Sequence, residues 1–232
     1  MLTMRKAPVR DEAKPGDDDA QSSLTEKAYR TLEEMIVTLE LAPGSVVSEA
    51  ALSQLLGIGR TPIREALHRL AREHLVTILP RRGIIVSEVN IMTQLRLLEV
   101  RREIERLMAR AAAKRASASE REAFRRIAEG MQTASSGNDD IAFMRLDLAF
   151  NQLLAQAARN DFATGAISLM QSLSRRFWYI HYRQVADMPL AARLHGAVAL
   201  AIAEGDAERA GAASDALMDY IEDFTRATVA AD

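Results

Sequence analysis

Residues 42–89 read APGSVVSEAALSQLLGIGRTPIREALHRLAREHLVTILPRRGIIVSEV. Pro43-Gly44 is a turn dipeptide and closes whatever helix precedes it. Ser48 is a candidate N-cap for a short helix through Leu56, and Gly57 ends that helix. A further helical pattern runs from about Arg60 to His74, with Ile63, Ala66, Leu67 and Leu70 at i, i+3, i+4 and i+7 on its buried face. Pro62 stands near its start, where the missing N–H costs nothing. Arg60, Arg64 and His68 recur every four residues on another face, with Thr61 beside them at the N-terminal end. LVTILP and GIIVSEV then predict two short strands around Pro80-Arg81-Arg82-Gly83.

Upstream, Leu24–Leu41 has a helical pattern with Leu32, Met35, Ile36 and Leu39 on one stripe. Three helices and a hairpin within about 65 residues outline a winged helix-turn-helix over 24–89. In that fold the first turns of the third helix enter the major groove. There arginine reads guanine bidentately and threonine bonds a phosphate or base edge. Between Gly57 and Val86 stand six arginines (60, 64, 69, 72, 81, 82) and two glutamates (65, 73), six less two giving a local charge of +4 in a chain of net −2. Arg60, Thr61, Arg64 and His68 are therefore candidate DNA contacts. Arg81, Arg82 and Gly83 form a wing suited to phosphates or the minor groove. A basic face on an isolated helix is usually just solvated; the turn, the preceding helix and the basic wing argue otherwise here.

The whole chain has 232 residues, a length that fits one or two domains. The absence of cysteine excludes a disulfide scaffold, a thiol nucleophile and any Cys-ligated metal or iron–sulfur site. No stretch approaches the ~20 apolar residues of a membrane helix, and MLTMRKAPVR lacks the apolar core of a signal peptide. A cytoplasmic address is expected. Residues 1–23, with Pro8, Pro15, Gly16 and Asp17-Asp18-Asp19, show no apolar periodicity and predict a disordered tail. None of GxxxxGK[ST], GxGxxG, HExxH or GxSxG occurs, which argues against an enzyme.

From Asn90 onward every segment is helical: about 91–114, 119–134, 140–158, 161–186, 189–204 and 206–229. The expected fold is mainly α, an N-terminal winged helix-turn-helix followed by a C-terminal antiparallel six-helix bundle over 90–229. The bundle has polar residues where its interior should lie. In 140–158 the apolar stripe is Phe143, Leu146, Phe150, Leu153, Leu154 and Ala157, and Asp147 falls within it, with Asn151 at its edge. Arg101 and Glu105 flank Ile104 and Met108; His195 borders Ala191, Val198 and Ile202. A buried aspartate needs a partner. Asp147 pairs either with an interior arginine such as Arg101 or Arg175, or with a metal; His195 is either part of that site or a hydrogen-bonded residue at the core edge. Trp178, Tyr179 and Tyr182 either line a pocket or fill the core. Arg175 and Arg176 either clamp a carboxylate or sit on a solvated face. Together these residues suggest a polar pocket between helices.

The 42–89 stretch resembles the winged helix of GntR-family bacterial repressors. The likeness rests on Pro43, Gly44, Leu52, Leu56, Gly57, Arg60, Thr61, Pro62, Arg64, Glu65, Ala66, Leu67, Leu70, Leu75, Val76 and Gly83. Ala50 stands where members often carry arginine, and Gly59 where many carry serine or threonine. Residues 90–229 resemble the all-helical, FCD-type ligand-binding domain of the FadR-like subgroup, through Val100-Arg101, Glu105, Asp147, Phe150-Asn151, Ala158, Asn160, His195, Ala201-Ile202, Gly205-Asp206 and Ala210. Most such domains hold a divalent metal through one Asp and three His. The corresponding positions here are Asp147, Asn151, His195 and Leu217. The resemblance thus implies one divalent ion (zinc, nickel or manganese) at a degraded site of Asp147, Asn151 and His195.

The expected protein is a homodimeric transcriptional repressor, each winged helix reading half of a pseudo-palindromic operator. Its effector, by resemblance, is an organic acid bound by Arg101, Glu105, Asp147, Asn151, Arg175 and His195. The linker between Val89 and Leu95 is the expected coupling element. The alternative is an architectural DNA-binding protein whose helical domain only dimerises.

Overall fold

The computed structural model describes residues 17–80, 83–137 and 139–228. The first domain consists of α1 (Asp17–Val37), β1 (Val46–Val47), α2 (Glu49–Leu56), α3 (Arg60–Arg72), β2 (Val76–Leu79) and β3 (Gly83–Val86). The second contains α4 (Ile91–Arg115), α5 (Ala118–Gly137), α6 (Asp140–Ala158), α7 (Asp161–Val185), α8 (Met188–Glu204) and α9 (Ala207–Ala227). α1 begins seven residues inside the segment expected to be tail, and residues 1–16 lie outside the described part of the chain.

In the first domain the three strands form an antiparallel sheet in the order β1-β3-β2. β1 is only two residues long, and alternation cannot signal so short a strand. Ser48 caps α2 as its side chain predicts, accepting the Ala51 N–H at 3.2 Å. Gly57 ends α2 in the left-handed region at φ 63°, where glycine carries no Cβ penalty. The buried face of α3 is Ile63, Ala66, Leu67 and Leu70, packed on Leu32, Ile36, Leu52, Leu75, Ile84 and Val86. The first helix ends at Val37 rather than Leu41: Leu39 has φ 67° and so lies outside the stripe predicted for it. α3 likewise ends two residues early, and His74 at φ 59° turns the chain into β2.

The breaks between the bundle helices supply their caps. Asn90, Asp139, Asn160, Asp187 and Asp206 each accept the N–H three residues on, at 2.8–3.2 Å. α5 opens on a capping box: Glu120 accepts from Ser117 N–H at 2.7 Å while Ser117 Oγ accepts from Glu120 N–H at 3.3 Å. α4 packs along α9, α5 along α8, and α8 along α9. Alanines 109, 112, 113, 199 and 201, all fully buried, allow this close approach. Phe124, Met131, Phe150 and Ile202 fill the centre.

α7 joins the two domains. Its Leu173 packs both on the core of the first domain and on the Leu97, Leu98 and Met218 cluster of the second. Arg176, 1% exposed, donates to the linker carbonyls of Ser87 at 2.8 Å and Glu88 at 3.3 Å. Burial drags its guanidinium below the usual arginine value. The linker segment is thus held by the bundle, not simply strung between domains. Of the two arginines expected either to clamp an acid or to be solvated, Arg176 does neither.

Candidate functional site

Two surfaces carry the predicted functional residues. The first is the outer face of α3, where Arg60, Thr61, Arg64 and His68 are all exposed. Four apolar side chains on the opposite face fix which way this one points. Arg64 is held by Glu49 at the start of α2: its Nε donates to the carboxylate at 3.0 Å and its Nη2 at 2.9 Å. The second edge of the guanidinium, Nη1 with Nη2, remains for another planar acceptor. Gly83 opens the wing strand at φ 106°, and a Cβ there would lie 3.2 Å from the Val47 carbonyl, so the position requires glycine. Arg81 and Arg82 lie outside the described residues.

The second is a cavity of about 400 Å³ inside the helical domain. Arg101, Glu105, Asp147, Asn151, Arg175 and His195 all line it. Phe143, Phe150, Trp178, Leu217 and Phe224 make up much of its apolar wall. Val37 of α1 also reaches the cavity, as do Gln94 and Ser174, so it extends to the seam between domains. Sequence reasoning missed these three because no periodicity within one helix shows what a second domain presses against it. Of the aromatic cluster on α7, Trp178 and Tyr179 line the cavity, and Tyr182 stacks on Trp178 at 6.5 Å between ring centroids.

The partner of Asp147 is neither Arg101 nor Arg175 but His195, whose Nε2 lies 3.0 Å from Oδ1. Arg101 pairs instead with Glu105, one turn along α4, and Arg175 with Glu33 of α1. His195 Nδ1 lies 2.8 Å from the Ala191 carbonyl, which can only accept. A proton on Nδ1 satisfies the carbonyl and a proton on Nε2 satisfies the carboxylate, so the arrangement favours imidazolium. Asn151 Nδ2 donates to the same Oδ1 at 3.1 Å. Phe143 and Phe150 meet the imidazole edge-on, at 5.4 and 5.9 Å between centroids.

Burial opposes both charges, but the pairing outweighs it. His195 ends above its ordinary value because the Asp147 hydrogen bond and charge exceed the desolvation. Asp147 ends below its own because His195, then Arg101 and Asn151, exceed the same penalty. A raised histidine contributes stability that is complete below the unfolded value of 6.5 and is lost as pH rises through the folded one. A lowered aspartate contributes above the unfolded 3.8 and loses it as pH falls through the folded value. The stabilising window therefore lies between the two. The melting temperature of Asp147→Asn should fall furthest below wild type near pH 6, and the gap should narrow toward pH 9. Thermal melts across pH check this; a gap independent of pH would mean that no imidazolium forms.

The set does not fit a resident metal ion. Asp147 and His195 are strong donors, Asn151 offers an amide, and the fourth position, Leu217, is buried and offers none. Among the described residues no group of three or more His, Cys, Asp or Glu comes together in a way that could hold a metal. The histidine that would serve as a ligand is already satisfied at both nitrogens.

Comparison with known proteins gives the family. Residues 24–86 match the family model described as bacterial regulatory proteins, gntR family, and residues 96–220 match the FCD domain model, more than half the chain. The HTH-type transcriptional repressor RspR of Escherichia coli (strain K12) is 31% identical over 191 residues, covering 81% of this chain and 83% of its own. The chain belongs to the GntR family of bacterial regulatory proteins. A regulator from an unstable DNA locus of Streptomyces ambofaciens is 48% identical over 62 residues, but only 26% of that protein is covered. The structure of E. coli McbR/YncC superposes with a TM-score of 0.73 over 89% of this chain and 98% of its own, at 18% identity, a likeness of fold alone. As a GntR regulator with an FCD domain, the chain is a transcriptional regulator and not an enzyme. No helix among the described residues is long and apolar enough to cross a membrane.

Proposed function

We propose that this regulator is a ligand-responsive repressor whose effector is an organic acid held in the helical-domain cavity without a resident metal. The observation that carries the reading is the charge of the cavity wall. Arg101, Arg145, Arg175 and His195 line it against only Glu105 and Asp147, within a largely apolar surround. Such a wall suits an amphipathic anion. A helical domain used only to dimerise has no need of a cavity lined with paired charges, which favours this reading over an architectural one. Two copies would present two α3 helices to a pseudo-palindromic operator, and ligand would act through its different affinity for the two placements of the heads.

Asp147→Ala tests the assignment. It should abolish the effector response while leaving operator affinity within about twofold, since distant sites act independently. If induction survives intact, the effector binds elsewhere. Zinc, nickel or manganese added at stoichiometric levels should not raise the melting temperature, because binding to the folded state alone would raise it. Elemental analysis showing about one such ion per chain, after purification without a histidine tag, would overturn the metal-free reading.

A further inference from the structure

We propose that Arg175 serves two anions in turn: Glu33 of the DNA-binding domain when the cavity is empty, and the carboxylate of the effector when it is filled. The exchange rests on the acid-binding reading of the cavity and supplies its coupling to DNA. Arg175 lines the cavity, yet its Nη1 donates to Glu33 Oε1 at 2.7 Å across the domain seam. Three of the cations on the wall have partners, and only that of Arg175 lies in the other domain. Arg101 is held by Glu105 and His195 by Asp147, both within the bundle.

The two ends of the Arg175–Glu33 pair differ in exposure. The Arg175 side chain is 41% exposed and can turn toward a ligand; that of Glu33 is 10% exposed and cannot turn to water. Glu33 also lies near enough to buried Glu73 and Tyr29 for its charge to disfavour ionisation of both. Deprived of Arg175, it is a largely buried carboxylate near that of Glu73, which Arg69 already engages, and this is costly until α1 shifts and lets water in. α1 also packs directly on α3, the helix that carries the DNA-facing residues. A ligand carboxylate that captures Arg175 thereby favours a different placement of the reading head, and the ligand's preference for that placement is the source of the coupling.

The chain has no cysteine and one tryptophan, which makes the test direct. Cysteines introduced at exposed Lys27 on α1 and exposed Ser168 on α7 take a pair of spin labels. Dilution with unlabelled chain restricts the measured distances to one protomer. Trp178 reports cavity occupancy by its emission during titration with acetate, benzoate, succinate and citrate. In wild type, an acid that changes Trp178 emission should also change the label separation. Glu33→Gln should bind that acid roughly tenfold tighter, since nothing then competes for Arg175, and should keep the ligand-free separation, since no buried carboxylate is left to drive α1 away. Arg175→Gln should lose the Trp178 response and show the changed separation with no acid present, because its Glu33 carboxylate is left without a partner. If an acid binds wild type and Glu33→Gln equally and leaves the separation unchanged, the exchange is wrong and acid binding stands. Unaltered separation in ligand-free Arg175→Gln also refutes it. If none of the acids alters Trp178 in either protein, the acid-binding reading fails, and the exchange with it.

Discussion

Arg176→Ala should loosen the joint between the domains and cost about 2–4 kcal/mol, from linker carbonyls left unpaired and the void left by the side chain. Arg176 is among the largest fully buried side chains, and its Nη1 and Nη2 hold the carbonyls of Ser87 and Glu88. Its own Nε finds no partner, so the wild-type arrangement already includes one unsatisfied buried donor. Arg176→Met keeps an apolar stem and removes the buried charge, and should lose less than alanine does. Amide exchange should accelerate in both variants at residues 87–90 and through the first turn of α4. Calorimetry should show one transition for wild type and two for the alanine variant. Unchanged exchange at 87–90 in both variants would show that the bundle does not hold the linker.

That joint was the part of the molecule least legible in the sequence. The helices and the winged fold follow from local rules. Ile63, Ala66, Leu67 and Leu70 on α3 declare its buried face, and the Asx residues at the bundle breaks declare its helix starts. The polar cavity was also legible, because Asp147 interrupts an apolar stripe and so must face something polar. The pairing inside it was not. Arg101, Glu105, Asp147, Arg175 and His195 contain three cations and two anions, and helical periodicity fixes only the face each occupies. Glu33, the anion that claims Arg175, lies 142 positions away in the other domain. Arg176 looked like its neighbour Arg175. A turn of 100° per residue sends one toward the cavity and the other into the seam. Of the segment expected to couple the domains, Val89 to Leu95, everything from Ile91 on belongs to α4, and the connection between the domains is the short stretch 87–90. The residue that makes it mechanically part of the bundle sits on α7.

Arg64→Ala should weaken operator binding by about 1–3 kcal/mol, roughly five- to 150-fold, and relax specificity at the base it reads. The side chain stands on the exposed face of α3 with the Nε edge of its guanidinium on Glu49, leaving the other edge for a guanine. If Arg64 reads a base, Glu49 is a positioning residue: it restricts the rotamers of a long side chain before DNA arrives, while its own charge disfavours nearby phosphates. These two effects oppose each other, so Glu49→Gln should change affinity by only a few-fold and blur base preference more than it weakens binding. Operators selected from random duplexes by the wild-type protein provide the common test DNA, with affinities measured by fluorescence anisotropy at fixed salt. Salt dependence separates the roles, because a residue that neutralises a phosphate reduces the slope of log affinity against log salt by about one. Arg64→Ala should lose affinity most at the selected sequence and little on scrambled DNA, with that slope unchanged. A uniform loss on both sequences with a shallower slope would place Arg64 on the backbone and leave base reading to Arg60.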